Sequence, residues 1–119
     1  MEFIASRFDV RHAMVEGYQS WVNDFRLVAP YIRTLDFKDF RWTADGQIQN
    51  VPLGQGQVDF NAYAKMLKQY GVTAPVTIHC EYDLGGAQDG RKDIKLQPQQ
   101  ILHAIKKDLV FLRGILESK

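Results

Sequence analysis

Three pairs of residues in this chain carry side chains able to hold a cation or move a proton: Asp9 with His12, Asp36 with Lys38, and His79 with Glu81. Each pair lies in or just after a short apolar run, namely "SRFDV", "YIRTLDFKDF" and "VTIHCEYDLGG". Side chains alternate across a strand, so each run sorts into two faces. In the third run Val76, Ile78, Cys80 and Tyr82 form the greasy face, while Thr77, His79 and Glu81 look the other way. In the second, Leu35 and Phe37 oppose Thr34, Asp36 and Lys38; in the first, Phe8 and Val10 oppose Arg7 and Asp9. Charge therefore gathers on one face, toward the C-terminal ends of the three runs. Parallel sheets bury both faces, and an isolated charge there is costly unless it is paired, hydrated or bound to a metal. Polar residues converging on strand C-termini are also what an α/β active site requires, because βα loops open a cleft at that edge.

The elements that must position these residues follow from period and punctuation. The first β run spans Glu2–Val10 and leads through the connection "RHAMVEGYQ" to a helix capped by Ser20, with Trp21, Val22, Phe25 and Val28 as its apolar stripe and Pro30 at its end. The second run spans Tyr31–Phe40, followed by a long connection with turn signals at Asp45-Gly46, Gly54 and Gly56. Asp59 caps a helix through Tyr63, Leu67 and Tyr70, and Gly71 suits the left-handed position past its end. After the third run, Val76–Tyr82, Pro98 opens a last helix whose apolar face is Ile101, Leu102, Ile105, Leu109, Leu112 and Leu116. The order is β-α-β-α-β-α: an α/β fold of three consecutive parallel βα units with helices outside, in one domain over 1–119. An open flavodoxin-like sheet binding a small ligand is the competing architecture, and it demands a different strand order.

Plainer roles compete for the same residues. Asp9 can cap the turn that follows it, and His12 can be an ordinary hydrogen-bonded histidine. Asp36 can pair with Lys38, and Glu81 with Lys38 or Arg11. Cys80 reads as a small buried apolar side chain, and His103 as a solvated residue away from the charged edge. The Gly54-Gln55-Gly56 segment is either a phosphate-binding loop or a tight turn before a helix.

Composition narrows the function classes. Fifteen basic and fourteen acidic residues leave a net charge of +1, which gives no electrostatic footprint for nucleic acid or an anionic membrane. The single cysteine excludes an internal disulfide framework and any multi-cysteine zinc module. No apolar stretch is long enough to span a bilayer, and "MEFIASRFDVRH" meets charge too early for a signal-peptide core. A cytoplasmic protein is the expectation.

The ordered set "FDVRHAMVEG", "LDFKDFRW", "VPLGQGQVDFNAYAKMLKQYG" and "APVTIHCEYDLGG" resembles successive segments of the sugar phosphate isomerase/epimerase family, with its xylose isomerase-like TIM-barrel fold. A closed (β/α)8 barrel takes about 250 residues. The resemblance, from Phe3 to Leu116, is to the C-terminal part, strands six to eight. It implies metal-assisted proton transfer beside a sugar carbonyl in the intact barrel, with a divalent cation, Mn²⁺ or Mg²⁺, and a small sugar or sugar phosphate. Asp9 would match the family's metal-binding Asp, and His12 the substrate-contacting His of a D-x-x-H pattern. Glu81 would match the Glu that binds metal and transfers the proton, with Lys38 and His79 toward the substrate. Asp36 occupies the position where many members place a metal-binding His. The resemblance further implies little activity for this stretch alone, and association with another copy or with an N-terminal barrel part. The alternative is a non-catalytic α/β module that kept the fold for ligand binding or oligomerisation.

Overall fold

The computed structural model describes residues 5–117. Two compact units emerge from the contacts, each built from two stretches of chain: residues up to Phe37 with Val58–Thr77, and Lys38–Gln57 with Ile78 onward.

In the first unit, β1 (Ser6–Asp9) and β2 (Ile32–Phe37) pair in parallel, with Phe8 opposite Leu35 and Asp9 opposite Asp36. β5 (Val76–Ile78) lies on the other side of β2, giving the order β1-β2-β5. This is the sequential order of a barrel segment, so the flavodoxin-like alternative is excluded. Between β1 and β2 run α1 (Val10–Gly17) and α2 (Trp21–Val28), and α3 (Phe60–Gln69) precedes β5. Phe8, Val10, Trp21, Phe25, Leu35, Phe37 and Tyr63 are buried. Their rings meet edge-on or tilted, Phe8 and Phe25 at 5.1 Å and Phe37 and Tyr63 at 5.0 Å, the geometry that ring quadrupoles favour. The apolar face expected of the first two strands is therefore the core face.

Several expected boundaries move. Of the run Glu2–Val10, Glu2 to Ile4 lie outside the described residues, and Val10 already belongs to α1. The connection "RHAMVEGYQ" is mostly helical because the Asp9 carboxylate accepts the N–H groups of Arg11 and His12 and starts α1. Ser20 does not cap α2; its hydroxyl donates to the Gly17 carbonyl at 2.6 Å. Asp59 does cap α3, accepting from the Ala62 N–H at 2.9 Å, and Gly71 ends that turn at φ +62°.

The second unit holds a hairpin that the periodicity alone does not reveal. The second run breaks after β2, and β3 (Asp39–Trp42) pairs antiparallel with β4 (Ile48–Val51) around the Asp45-Gly46 turn. The third run is a strand only to Ile78, because the next two greasy-face residues turn to a helix instead: Cys80 Sγ lies 3.9 Å and Tyr82 Oη 2.7 Å from the carboxylate of Asp108 on α4 (Pro98–Leu116). α4 opens on a capping box between Gln97 and Gln100, with Pro98 in its first turn. Its apolar stripe is only partly used. Leu112 is buried, while Leu102, Ile105 and Leu109 are exposed. Val76, expected beneath helices, is also exposed. No helix among the described residues is long and apolar enough to cross a membrane.

Candidate functional site

Asp9 and Asp36 face each other in register at the ends of β1 and β2, on the side opposite Phe8 and Leu35. Each offers a carboxylate oxygen, and the two oxygens lie within 4.8 Å. Oxygen donors of this kind are what a hard divalent cation takes. Two carboxylates this close repel unless a positive charge joins them. In this structure Arg7 supplies it: its Nε donates to Asp36 Oδ2. Asp36 is buried and Arg7 more than half exposed, so the guanidinium reaches in from solvent. The hydrogen bond to Asp36, then its charge, raises the Arg7 pKa above its ordinary value.

Asp9 serves two purposes at once. While capping α1 with one oxygen, it holds the other 3.6 Å from His12 Nε2. The capping role weighed for Asp9 is thus real, and its second oxygen remains turned toward the imidazole. Tyr63, beneath this group on α3, is fully buried, and its hydroxyl has no hydrogen-bond partner among the described residues. Burial first, then the charges of Asp9 and Asp36, push its ionisation far above the usual phenol range.

In the second unit Glu81 receives two cation-capable groups. Lys38 Nζ donates to Oε2 at 3.1 Å, and His79 Nδ1 lies 3.5 Å from Oε1. Lys38 is buried and Glu81 about half exposed, so the pair presents a carboxylate to solvent with a fixed ammonium behind it. The ion pair weighed as Glu81's plainer role is therefore present. Glu81 lies beyond β5 rather than within it.

Two functional-looking carboxylates have no counterpart among the residues singled out from the sequence. Asp39, 1% exposed, accepts the N–H groups of Phe40 at 2.9 Å, Gly54 at 3.0 Å and Gly56 at 2.9 Å. The Gly54–Gly56 segment is thus a tight turn wrapped on an internal carboxylate. Asp108, also 1% exposed, accepts from Tyr82 Oη and from the Leu53 N–H at 3.1 Å. Burial raises its pKa, with the Tyr82 hydrogen bond the strongest opposing influence; burial likewise pushes the Cys80 thiol up. A signal for Asp108 was available, since it falls between Ile105 and Leu112 in the apolar spacing of the last helix. Beside it a pocket of about 630 Å³ is lined by Leu53, Tyr82, Ala104, Phe111 and the exposed His103.

Residues 4–106 match the family described as the xylose isomerase-like TIM barrel. The chain belongs to that family. Among solved structures it is similar to a xylose isomerase domain protein from Planctomyces limnophilus, with 24% identity, a TM-score of 0.59, and coverage of 96% of this chain and 37% of that one. It is similar to D-psicose 3-epimerase from Clostridium cellulolyticum H10, solved with D-tagatose (16% identity, TM-score 0.63, 94% and 38% covered). An L-ribulose 3-epimerase gives 17% identity and a TM-score of 0.64 over 98% and 37% of the two chains. These likenesses establish the fold. The chain spans less than two fifths of the length of each of these structures, and no curated protein sequence matches it.

Proposed function

We propose that this chain is part of a sugar isomerase or epimerase-like barrel that binds a divalent cation and a small sugar. The observation that carries this reading is the in-register placement of Asp9 and Asp36 on neighbouring parallel strands of a xylose isomerase-like fold. Their hard oxygen donors suit Mn²⁺ or Mg²⁺. When bound, the cation supplies positive charge at the sugar oxygen next to the reacting carbon.

The chain's own residues then have distinct tasks. Glu81 takes or returns the proton on that carbon, which needs a carboxylate within hydrogen-bond reach. Lys38 and His79 face its two oxygens, at 3.1 Å and 3.5 Å, and position the carboxylate. His12, half exposed and oriented by Asp9, contacts the sugar hydroxyls. Arg7 holds the charge of Asp36 in check until a cation replaces it, and its exposure lets it swing away without opening the core. Turnover requires further βα units, from a second copy of the chain or from another part of the protein.

The Arg7–Asp36 and Lys38–Glu81 ion pairs favour a second reading, a module that kept the fold and lost the reaction. Calorimetric titration with Mn²⁺ separates the two. Saturable binding is expected, weakened at least about tenfold (~1.4 kcal/mol) by Asp36→Asn and by Asp9→Asn. Asparagine caps a helix as well as aspartate does, so the Asp9→Asn effect reports ligation rather than loss of α1. No Mn²⁺ binding, or binding indifferent to both substitutions, leaves the non-catalytic module.

A further inference from the structure

We infer that the pocket beside Asp108 binds a small amphipathic anion, with an apolar body turned inward and a carboxylate-like head meeting the lysines at the mouth. Every residue that lines it belongs to the second unit, and the inference does not depend on the isomerase or epimerase reading. Its volume of about 630 Å³ falls within the range of small-molecule sites, roughly 300–1,000 Å³. Such sites join apolar walls to a few fixed polar groups. Here the walls are Pro52, Leu53, Ala104, Val110 and Phe111. The polar groups at the floor are Tyr82 and Asp108, 6% and 1% exposed. They are bonded to each other, and Asp108 also holds the Leu53 N–H, so the floor is fixed before any ligand enters.

The mouth sets the sign of the ligand. His103, Lys106 and Lys107 line it from α4 and are exposed; their spacing of three and four residues places them on neighbouring positions of one helix face. Among the described residues lining the pocket, Asp108 is the one acid. A negative head is drawn to the two ammonium groups and repelled by the buried carboxyl group, so both influences orient the ligand the same way. The same charges argue against a protein segment as the occupant. A helix seated on this mouth would bury three cation-capable groups, with only the engaged Asp108 in the pocket to meet them, and unpaired charges are costly to bury. A small anion neutralises them where they stand, at the edge of water.

The test is a titration of the full chain with octanoate and, separately, with octanol, followed through the backbone amide resonances of Leu53 and Ala104. In the wild type octanoate is expected to move both saturably and to bind about fivefold more tightly than the alcohol, the upper range for an exposed charge pair. Lys106→Gln together with Lys107→Gln should erase that advantage and leave the alcohol's affinity unchanged, while Ala104→Trp should block both probes. Lys106 and Lys107 are exposed helix positions, so the double variant keeps the fold even if Ala104→Trp does not. No saturable movement in the wild type overturns the inference, and so does equal affinity for the two probes or an octanoate preference that survives loss of both lysines. Amide shifts that follow protein concentration and ignore octanoate would assign the pocket to a second copy of the chain, which overturns it as well.

Discussion

At the scale of single residues, Asp36 and Glu81 are each met by a partner that can be removed on its own. Arg7 occupies the acid that a cation would use, so Arg7→Gln should tighten Mn²⁺ binding several-fold, and calorimetry comparing the variant with the wild type checks this. A guanidinium that competes for Asp36 predicts tightening; a guanidinium that organises the site predicts loss. Tyr63 presents the opposite case, a buried hydroxyl without a hydrogen-bond partner among the described residues. Tyr63→Phe should raise stability by about 1 kcal/mol in urea unfolding, because an unpaired polar atom leaves the core with little change of shape. Asp108 supplies a pH dependence. Its folded pKa lies above the unfolded value of about 3.9, so the folded state holds the proton more tightly. The resulting stabilisation is present below the unfolded value and is lost as pH rises through the folded one. Asp108→Asn should flatten that decline in unfolding midpoints measured across the acid range. Asp108→Ala should cost about 2 kcal/mol, since it strands the Tyr82 hydroxyl and the Leu53 N–H.

At the scale of elements, legibility followed the range over which an element is determined. α3 and α4 are readable because their signals lie within a few residues: Asp59 capping at Ala62 for α3, and Pro98 with the apolar spacing for α4, where the Gln97–Gln100 box adds a cap the spacing does not reveal. The alternation in the first two strands was equally local, and it alone suffices to separate Asp9 and Asp36 from Phe8 and Leu35. What failed depends on distant partners. Asp39–Trp42 becomes a separate strand only because Ile48–Val51 returns alongside it, and β5 stops early because Cys80 and Tyr82 turn to Asp108, 28 and 26 residues away. Within the candidate site the residue types were legible, while the partners chosen by Asp36 and Asp39 were not, since nothing local distinguishes Arg7 from Lys38 as a counter-ion. Two glycines separate the kinds of constraint. Gly56→Ala should cost more than about 2 kcal/mol through collision with Asp39 and Phe40. Gly46→Ala, at φ +80° with nothing within 4 Å, should cost only about 1 kcal/mol of backbone strain. Thermal unfolding of both variants checks the ordering.

At the scale of the whole molecule, the exposed apolar stripe of α4 is the largest surface claim. Leu102 is 66% and Val110 62% exposed, with Ile105 and Leu109 also exposed on the same helix, and contiguous exposed apolar surface marks candidate interaction faces. Association through this stripe is expected, so sedimentation velocity should show concentration-dependent assembly that Leu102→Lys together with Leu109→Lys abolishes while the helical signal is retained. An unchanged sedimentation profile in the double variant would assign the contact to another surface.

Each of the two units is assembled from separated stretches of chain, and this sets a timetable for synthesis. The first unit cannot finish its sheet until the stretch around Thr77 has left the ribosome, by which time Lys38–Gln57 has already emerged. The second waits longer, because the acceptor for the Leu53 N–H stands 55 residues downstream on the last helix. A nascent chain stalled before Pro98 would therefore leave the Tyr82 hydroxyl and the Leu53 amide hydrogen-bonded to water until α4 brings Asp108 to them.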